Sequence, residues 1–346
     1  AAGRVTARIP PPTRDEVERL PPGARAELSR VGLTSVHDAG ADPQTLEVYR
    51  ALAAADRLPL RVYAMIDGQA SRSQLAEQMA LWAKTREVGR LTVRAVKLYA
   101  DGALGSRGAA LFEPYADDPS TSGLLVTAPA ELRARVLQVA QAGFQPAVHA
   151  IGDRAVAETL SALAAAGEAV DLRALRPRGE HLQGLRAEDG PRRKVTWAVG
   201  SMPPTHPVGD AAWAQRRLGA GREGPAGAYA WRRVLTLGVP LALGSDFPVE
   251  GHDPRLGIFA AETRRPAGRS GAWMPEQRLS REQAIHGFTS GAAFAAHAEG
   301  RRGLIRVGFD ADLTIFDRDV LAGKPDDLLR AAVTHPMVGG RFEYER

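Results

Sequence analysis

Cysteine is absent from the 346 residues. Neither a disulfide framework nor a thiolate metal site is therefore available, and a transition metal could be held only by His, carboxylate or modified Lys. Long apolar runs are also missing: no stretch approaches the roughly 18 consecutive apolar residues of a membrane span. No membrane partner is expected, and the cytoplasm is the default compartment. The first twelve residues show neither an initiator Met nor the charged-then-apolar layout of a signal peptide, and read as a chain that begins in the middle of something. His-x-His is absent too, all eight histidines standing apart. The net charge of +5 is small, its arginines lie among nearly as many acidic residues, and no nucleic-acid recognition motif accompanies them, so nucleic acid is not an expected partner.

What is present is an alternation of short apolar runs with Ala/Leu/Arg-rich segments of helical period. That pattern argues repeated βα units around a parallel sheet. Seven strands are predicted, at 33–38, 60–66, 93–99, 145–149, 178–181, 195–201 and 239–246, with helices at 43–55, 72–85, 129–142 and 155–166. The length suits one large α/β barrel with a small appendage. A barrel is expected over residues 1–300 and a small sheet, with strands at 312–317 and 337–344, over 301–346. Ser280 should cap a helix running to 296. The long connections 100–127 and 203–232 exceed ordinary loop lengths and, in a (β/α) barrel, would crowd the catalytic face.

Four polar residues each close an apolar strand. Lys97 ends Val-Arg-Ala-Val-Lys, where an unpaired ammonium would be costly, so it needs a partner such as Asp101, a route to solvent, or modification by carbon dioxide to a carbamate. His149 and His181 end successive strands, and strands about 4.8 Å apart can aim two imidazoles at one ion. Asp246 ends the last strand, where a carboxylate can ligate an ion and accept the proton of attacking water, or cap the segment that follows. His206 is a candidate for polarising a carbonyl or touching substrate. Asp101 and Arg107 lie in a Gly-punctuated loop suited to close substrate approach. His37 and Asp38, at the end of the first predicted strand, could equally stabilise the barrel rim. His252, His286, His297 and His335 read as structural or solvated.

Several stretches are long and specific: Val36-His37-Asp38-Ala39-Gly40, Val96-Lys97-Leu98-Tyr99-Ala100-Asp101-Gly102-Ala103-Leu104-Gly105-Ser106-Arg107, His149-Ala150-Ile151-Gly152-Asp153, Glu180-His181, Ser201-Met202 with Pro204-Thr205-His206, and Gly244-Ser245-Asp246-Phe247-Pro248-Val249-Glu250. On these the chain resembles the third amidohydrolase family of the amidohydrolase superfamily, the metal-dependent hydrolases similar to N-substituted formamide deformylase. The resemblance implies a (β/α)8 TIM-type barrel with part of a β-sandwich at the C-terminus, and hydrolysis of a small amide-like, non-peptide C–N bond by water activated at zinc or a similar divalent metal. It implies that Lys97 is a bridging carbamate, that His149 and His181 hold one ion, and that Asp246 holds the other and is the general base. Pro203 stands where the resemblance leads one to expect Gln.

The family carries a His-x-His pair on its first barrel strand, so the resemblance also implies that the predicted strands are strands two to eight, with strand one missing. Two unpaired edges would then have to find water or another chain, making a homo-oligomer one expected state. At most about one ion per chain is expected, on the Lys97, His149 and His181 side. Two other readings remain open: a catalytically inactive barrel that binds or scaffolds, and a metal-free lyase using Lys97 as a Schiff-base amine.

Overall fold

The computed structural model describes residues 23, 26–189, 196, 198–219, 227–269 and 271–343. Its centre is a sheet of parallel strands in the order β1 (Ser35–Ala41), β2 (Arg61–Asp67), β4 (Leu91–Tyr99), β5 (Gln145–Ala150), β6 (Arg178–His181), β7 (Val199–Met202) and β8 (Leu241–Leu243), with the two-residue β3 (Glu87–Val88) antiparallel on β4. Each strand pairs with the next parallel strand in the chain, as right-handed βα crossovers produce.

The sheet is curled. In a flat sheet β1 and β6 would lie about 19 Å apart, four spacings of about 4.8 Å, yet an Arg178 guanidinium nitrogen on β6 sits 2.9 Å from His37 Nδ1 on β1. Tyr63 of β2 likewise donates to Gln145 Oε1 of β5 at 2.9 Å. Among the described residues β1 and β8 do not pair with each other, and a cavity of about 1230 Å³ runs past both strands.

Alternation along the strands sorts side chains between two buried faces. Tyr63, Met65, Ala95 and Ala147 form an inner cluster, whereas Val62, Ala64, Ile66, Val96, Leu98 and Val148 face the helices in the main core. The helices begin where the sequence offers caps. Asp42 accepts the Thr45 N–H at the start of α1 (Pro43–Ala54), and Ser71 with Gln74 forms a capping box on α2 (Arg72–Ala83). The helices α3 (Pro129–Gln141) and α4 (Asp153–Gly167) also match prediction to within two residues.

Several boundaries differ. The first strand runs to Ala41, so His37 and Asp38 are mid-strand, with His37 turned to the barrel interior. β8 stops at Leu243, so Asp246 lies three residues beyond the strand, at φ +57°. Position 195 falls outside the described residues, and β7 begins at Val199. The helix expected from Ser280 to 296 does start with a Ser280–Gln283 capping box, but after Arg281–His286 it widens into a π turn at Gly287–Gly291 before Ala292–Ala295. A Cβ on Gly291 would sit 2.1 Å from the Leu241 carbonyl oxygen. The widened turn is where the helix backbone comes against β8.

The C-terminal strands form a separate antiparallel sheet, β11 (Arg341–Phe342), β10 (Val333–Val338) and β9 (Leu313–Phe316). The predicted last strand is thus a hairpin, turned at Gly339 and Gly340, both at positive φ. Arg61 of β2 ties this sheet to the barrel through Asp312 at 2.6 Å.

Candidate metal centre

The C-terminal ends of β4 to β8 carry the predicted ligands, which is the face where parallel barrels place their chemistry. Lys97 and His149 project inward near the ends of β4 and β5, and His181 closes β6 in a left-handed conformation at φ +70°. The His149 and His181 rings meet edge to face with centroids 4.6 Å apart. His206, on the short helix Thr205–Asp210 after β7, stacks on His181 at 5.5 Å and 11°. Its Nε2 lies 3.4 Å from Asp246 Oδ2.

Three imidazole nitrogens here are buried without a hydrogen-bond partner: His149 Nε2, His181 Nδ1 and His206 Nε2. Such orphans are costly in a folded protein and call for a ligand. One ligand atom each from His181, His206 and Asp246 falls within 4.8 Å of the others, the spacing a single ion needs among the described residues. Nitrogen and carboxylate donors of this kind suit zinc and its neighbours. The residues present therefore fit a divalent metal.

Electrostatics point the same way. Burial lowers the His149 pKa to about 4, with the Lys97 charge adding to the effect, and burial beside His149, Lys97 and His206 holds His181 well below the usual imidazole range. Both rings are neutral at pH 7, the form that ligates metal. His149 hydrogen-bonds the Gly102 backbone, which with Nε2 unpartnered assigns the ring proton to Nδ1. Burial also lowers the Lys97 pKa, against the opposing pull of Glu180 and Asp246. A neutral amine is the form that reacts with carbon dioxide.

Beneath the ligands lies a polar network that the sequence reading missed. Arg178 holds Glu180 with contacts of 2.7 and 3.3 Å, and also reaches Ser201 Oγ at 2.9 Å and His37 Nδ1. Burial would raise the Glu180 pKa, but Arg178, Lys97 and Ser201 outweigh it and keep the carboxylate ionised. Since Arg178 can only donate, His37 Nδ1 accepts and its proton sits on Nε2. The only sequence signal was alternation: Arg178 and Glu180 share the inner face of β6.

Asp101 and Arg107 are placed differently from the ligands. The Asp101 side chain is 0% exposed, and its oxygens accept the backbone N–H groups of Ala110, Ile151 and Gly152 at 2.8 to 3.0 Å. Burial outweighs these donors and pushes its pKa up to about 6. Arg107 sits on the loop rim, paired with Asp117 at 3.2 Å. Neither side chain belongs to the His181, His206 and Asp246 group, whereas His206, read from the sequence as polarising a carbonyl or touching substrate, does.

Known proteins resemble this chain in sequence and in fold. The protein YtcJ of Bacillus subtilis (strain 168) is 29% identical over 347 residues, covering 98% of this chain and 63% of that protein. The N-substituted formamide deformylase of Arthrobacter pascens is 28% identical over 116 residues, 33% of this chain and 21% of the enzyme. The crystal structure of an uncharacterized metal-dependent hydrolase from Pyrococcus horikoshii OT3 superposes with a TM-score of 0.79 at 28% identity, covering 91% of this chain and 62% of that one. The chain thus spans about three fifths of the length of the first and third of these proteins. The sequence profile of the amidohydrolase family matches residues 1–344, and with the curled parallel sheet and the histidine cluster at its C-terminal ends, the chain belongs to that family.

Proposed function

We propose that the chain is built for metal-dependent hydrolysis of a small molecule with an amide-like, non-peptide C–N bond. The observation that carries this reading is the convergence of three unpartnered buried imidazole nitrogens with Asp246 at the mouth of the sheet. His181, His206 and Asp246 would hold a divalent ion, zinc by donor type, with His149 adjacent and Lys97 beneath. When bound, such an ion polarises a carbonyl oxygen and lowers the pKa of water.

The remaining work falls to the chain's own residues. Asp246, with its side chain 39% exposed, meets solvent and can take the proton of the attacking water and return it to the leaving nitrogen. His206 lies beside it, its Nε2 3.4 Å from Asp246 Oδ2. Arg178 and Glu180 set the interior charge below Lys97. The choice of a C–N bond draws on the likeness to the formamide deformylase.

Protein purified in zinc is to be assayed against N-benzylformamide and N-acetyl amino acids, before and after chelator dialysis and metal return. Hydrolysis lost with the metal and restored by it supports the reading. No hydrolysis with metal bound would favour the binding or scaffold role. A borohydride-trapped adduct on Lys97 with a carbonyl compound would favour the lyase.

A further inference from the structure

Tyr99 is assigned no role by the ligand pattern, yet it stands over the centre. It lies two residues beyond Lys97 on β4 and pairs in register with His149 of β5. Its ring covers Lys97 Nζ at 5.3 Å from the centroid and lies 5.8 Å from the His149 ring. The phenol reaches over the sheet mouth toward β1, where Gly40 leaves it room. A Cβ on Gly40 would come within 3.2 Å of the Tyr99 hydroxyl oxygen and 3.7 Å of Lys97 Cγ, and the Gly40 φ of +125° is one that other residues rarely adopt.

On the far side of that mouth stand His206 and Asp246, carried by the segments after β7 and β8. The Asp67 carboxylate from the β2 side, then Asp246 across the mouth and Asp38 of β1, are close enough to act on the phenol electrostatically. A phenolic O–H among carboxylates keeps its proton and can donate it in a hydrogen bond. It forms no hydrogen bond to a protein acceptor among the described residues. The side chain is neither fully buried nor exposed, as suits a group that meets a ligand at the mouth.

Resting on the hydrolase reading above, we infer that Tyr99 is a catalytic residue whose hydroxyl donates a hydrogen bond to the substrate oxygen as the carbonyl carbon becomes tetrahedral, from the side opposite His206 and Asp246. In that step the water oxygen bonds to carbon, the carbonyl π pair moves onto oxygen, and the water proton passes to Asp246. The C–N bond then breaks as the pair returns and the proton moves to nitrogen. Tyr99 keeps its own proton throughout and offers only the hydrogen bond. A donor aimed at the developing oxyanion stabilises the transition state more than the planar amide.

The test uses metal-loaded full chain and two small anions of equal charge, tetrahedral dimethylphosphinate and planar acetate, with affinities measured by calorimetry. Tyr99→Phe keeps the ring over Lys97 and removes only the hydroxyl. The inference expects dimethylphosphinate affinity to fall about tenfold or more in the variant, acetate affinity to change less than about twofold, and metal content to stay at the wild-type value. Equal weakening of both anions, or no change for dimethylphosphinate, overturns the role of Tyr99 while leaving the metal centre standing. Failure of the metal-loaded wild type to bind either anion contradicts the hydrolase reading itself, and the Tyr99 assignment with it.

Discussion

Asp101 Oδ1 lies 3.5 Å from His149 Nε2 while the same carboxylate accepts three backbone N–H groups from two different loops. One side chain thereby fastens the loop 101–127 to the start of α4 and fixes the wall beside a metal-facing imidazole. Asp101→Asn turns one acceptor edge into an N–H donor facing N–H donors. A loss of about 1–3 kcal/mol in urea unfolding is expected. A variant as stable as wild type would show that the three bonds contribute nothing.

The same junction leaves no room at Gly152. A Cβ there would lie 1.9 Å from the Ala110 carbonyl oxygen and 2.6 Å from the Ala110 nitrogen, and backbone cannot swing aside as a side chain can. Gly152→Ala should cost about 3 kcal/mol and open 101–127 to protease. Wild-type cleavage rates and stability in the variant would refute this account of the junction.

His37 gives a pH dependence of defined sign. Burial, with Arg178 adding to it, lowers its pKa to about 3, so between that value and the unfolded pKa of about 6.5 the unfolded chain binds the extra proton. The contribution is fully present above about pH 6.5 and is lost as pH falls toward 3. Asn in place of His37 keeps an acceptor for Arg178 but cannot titrate. From pH 7 to 5 wild type should lose about 2 kcal/mol more than His37→Asn, read from denaturant midpoints at each pH. Parallel profiles would remove His37 from the acid response.

The fold was legible where local and global signals agreed. Apolar runs gave all seven parallel strands, because strands buried on both faces stand out from amphipathic helices, and Ser280 marked a helix start by its own cap chemistry. His149 was visible because it ends an apolar run, and His181 because it closes the next predicted strand. Less was legible where a residue's partner is distant in sequence. Nothing local shows that His206, 25 residues on, would stack on His181, that Arg178 would reach His37, or that Asp101 would be consumed by backbone donors rather than left for substrate. The π turn at Gly287–Gly291 was hidden for the same reason, since its cause is the Leu241 carbonyl.

The measurement that bears most directly on the centre is metal content by elemental analysis, on protein purified without chelator, for wild type beside His206→Ala and His181→Ala. If His181, His206 and Asp246 hold the ion, wild type carries about one divalent ion per chain and both variants fall well below half of that. Wild-type metal content in His206→Ala, or two tightly held ions in wild type, would contradict it.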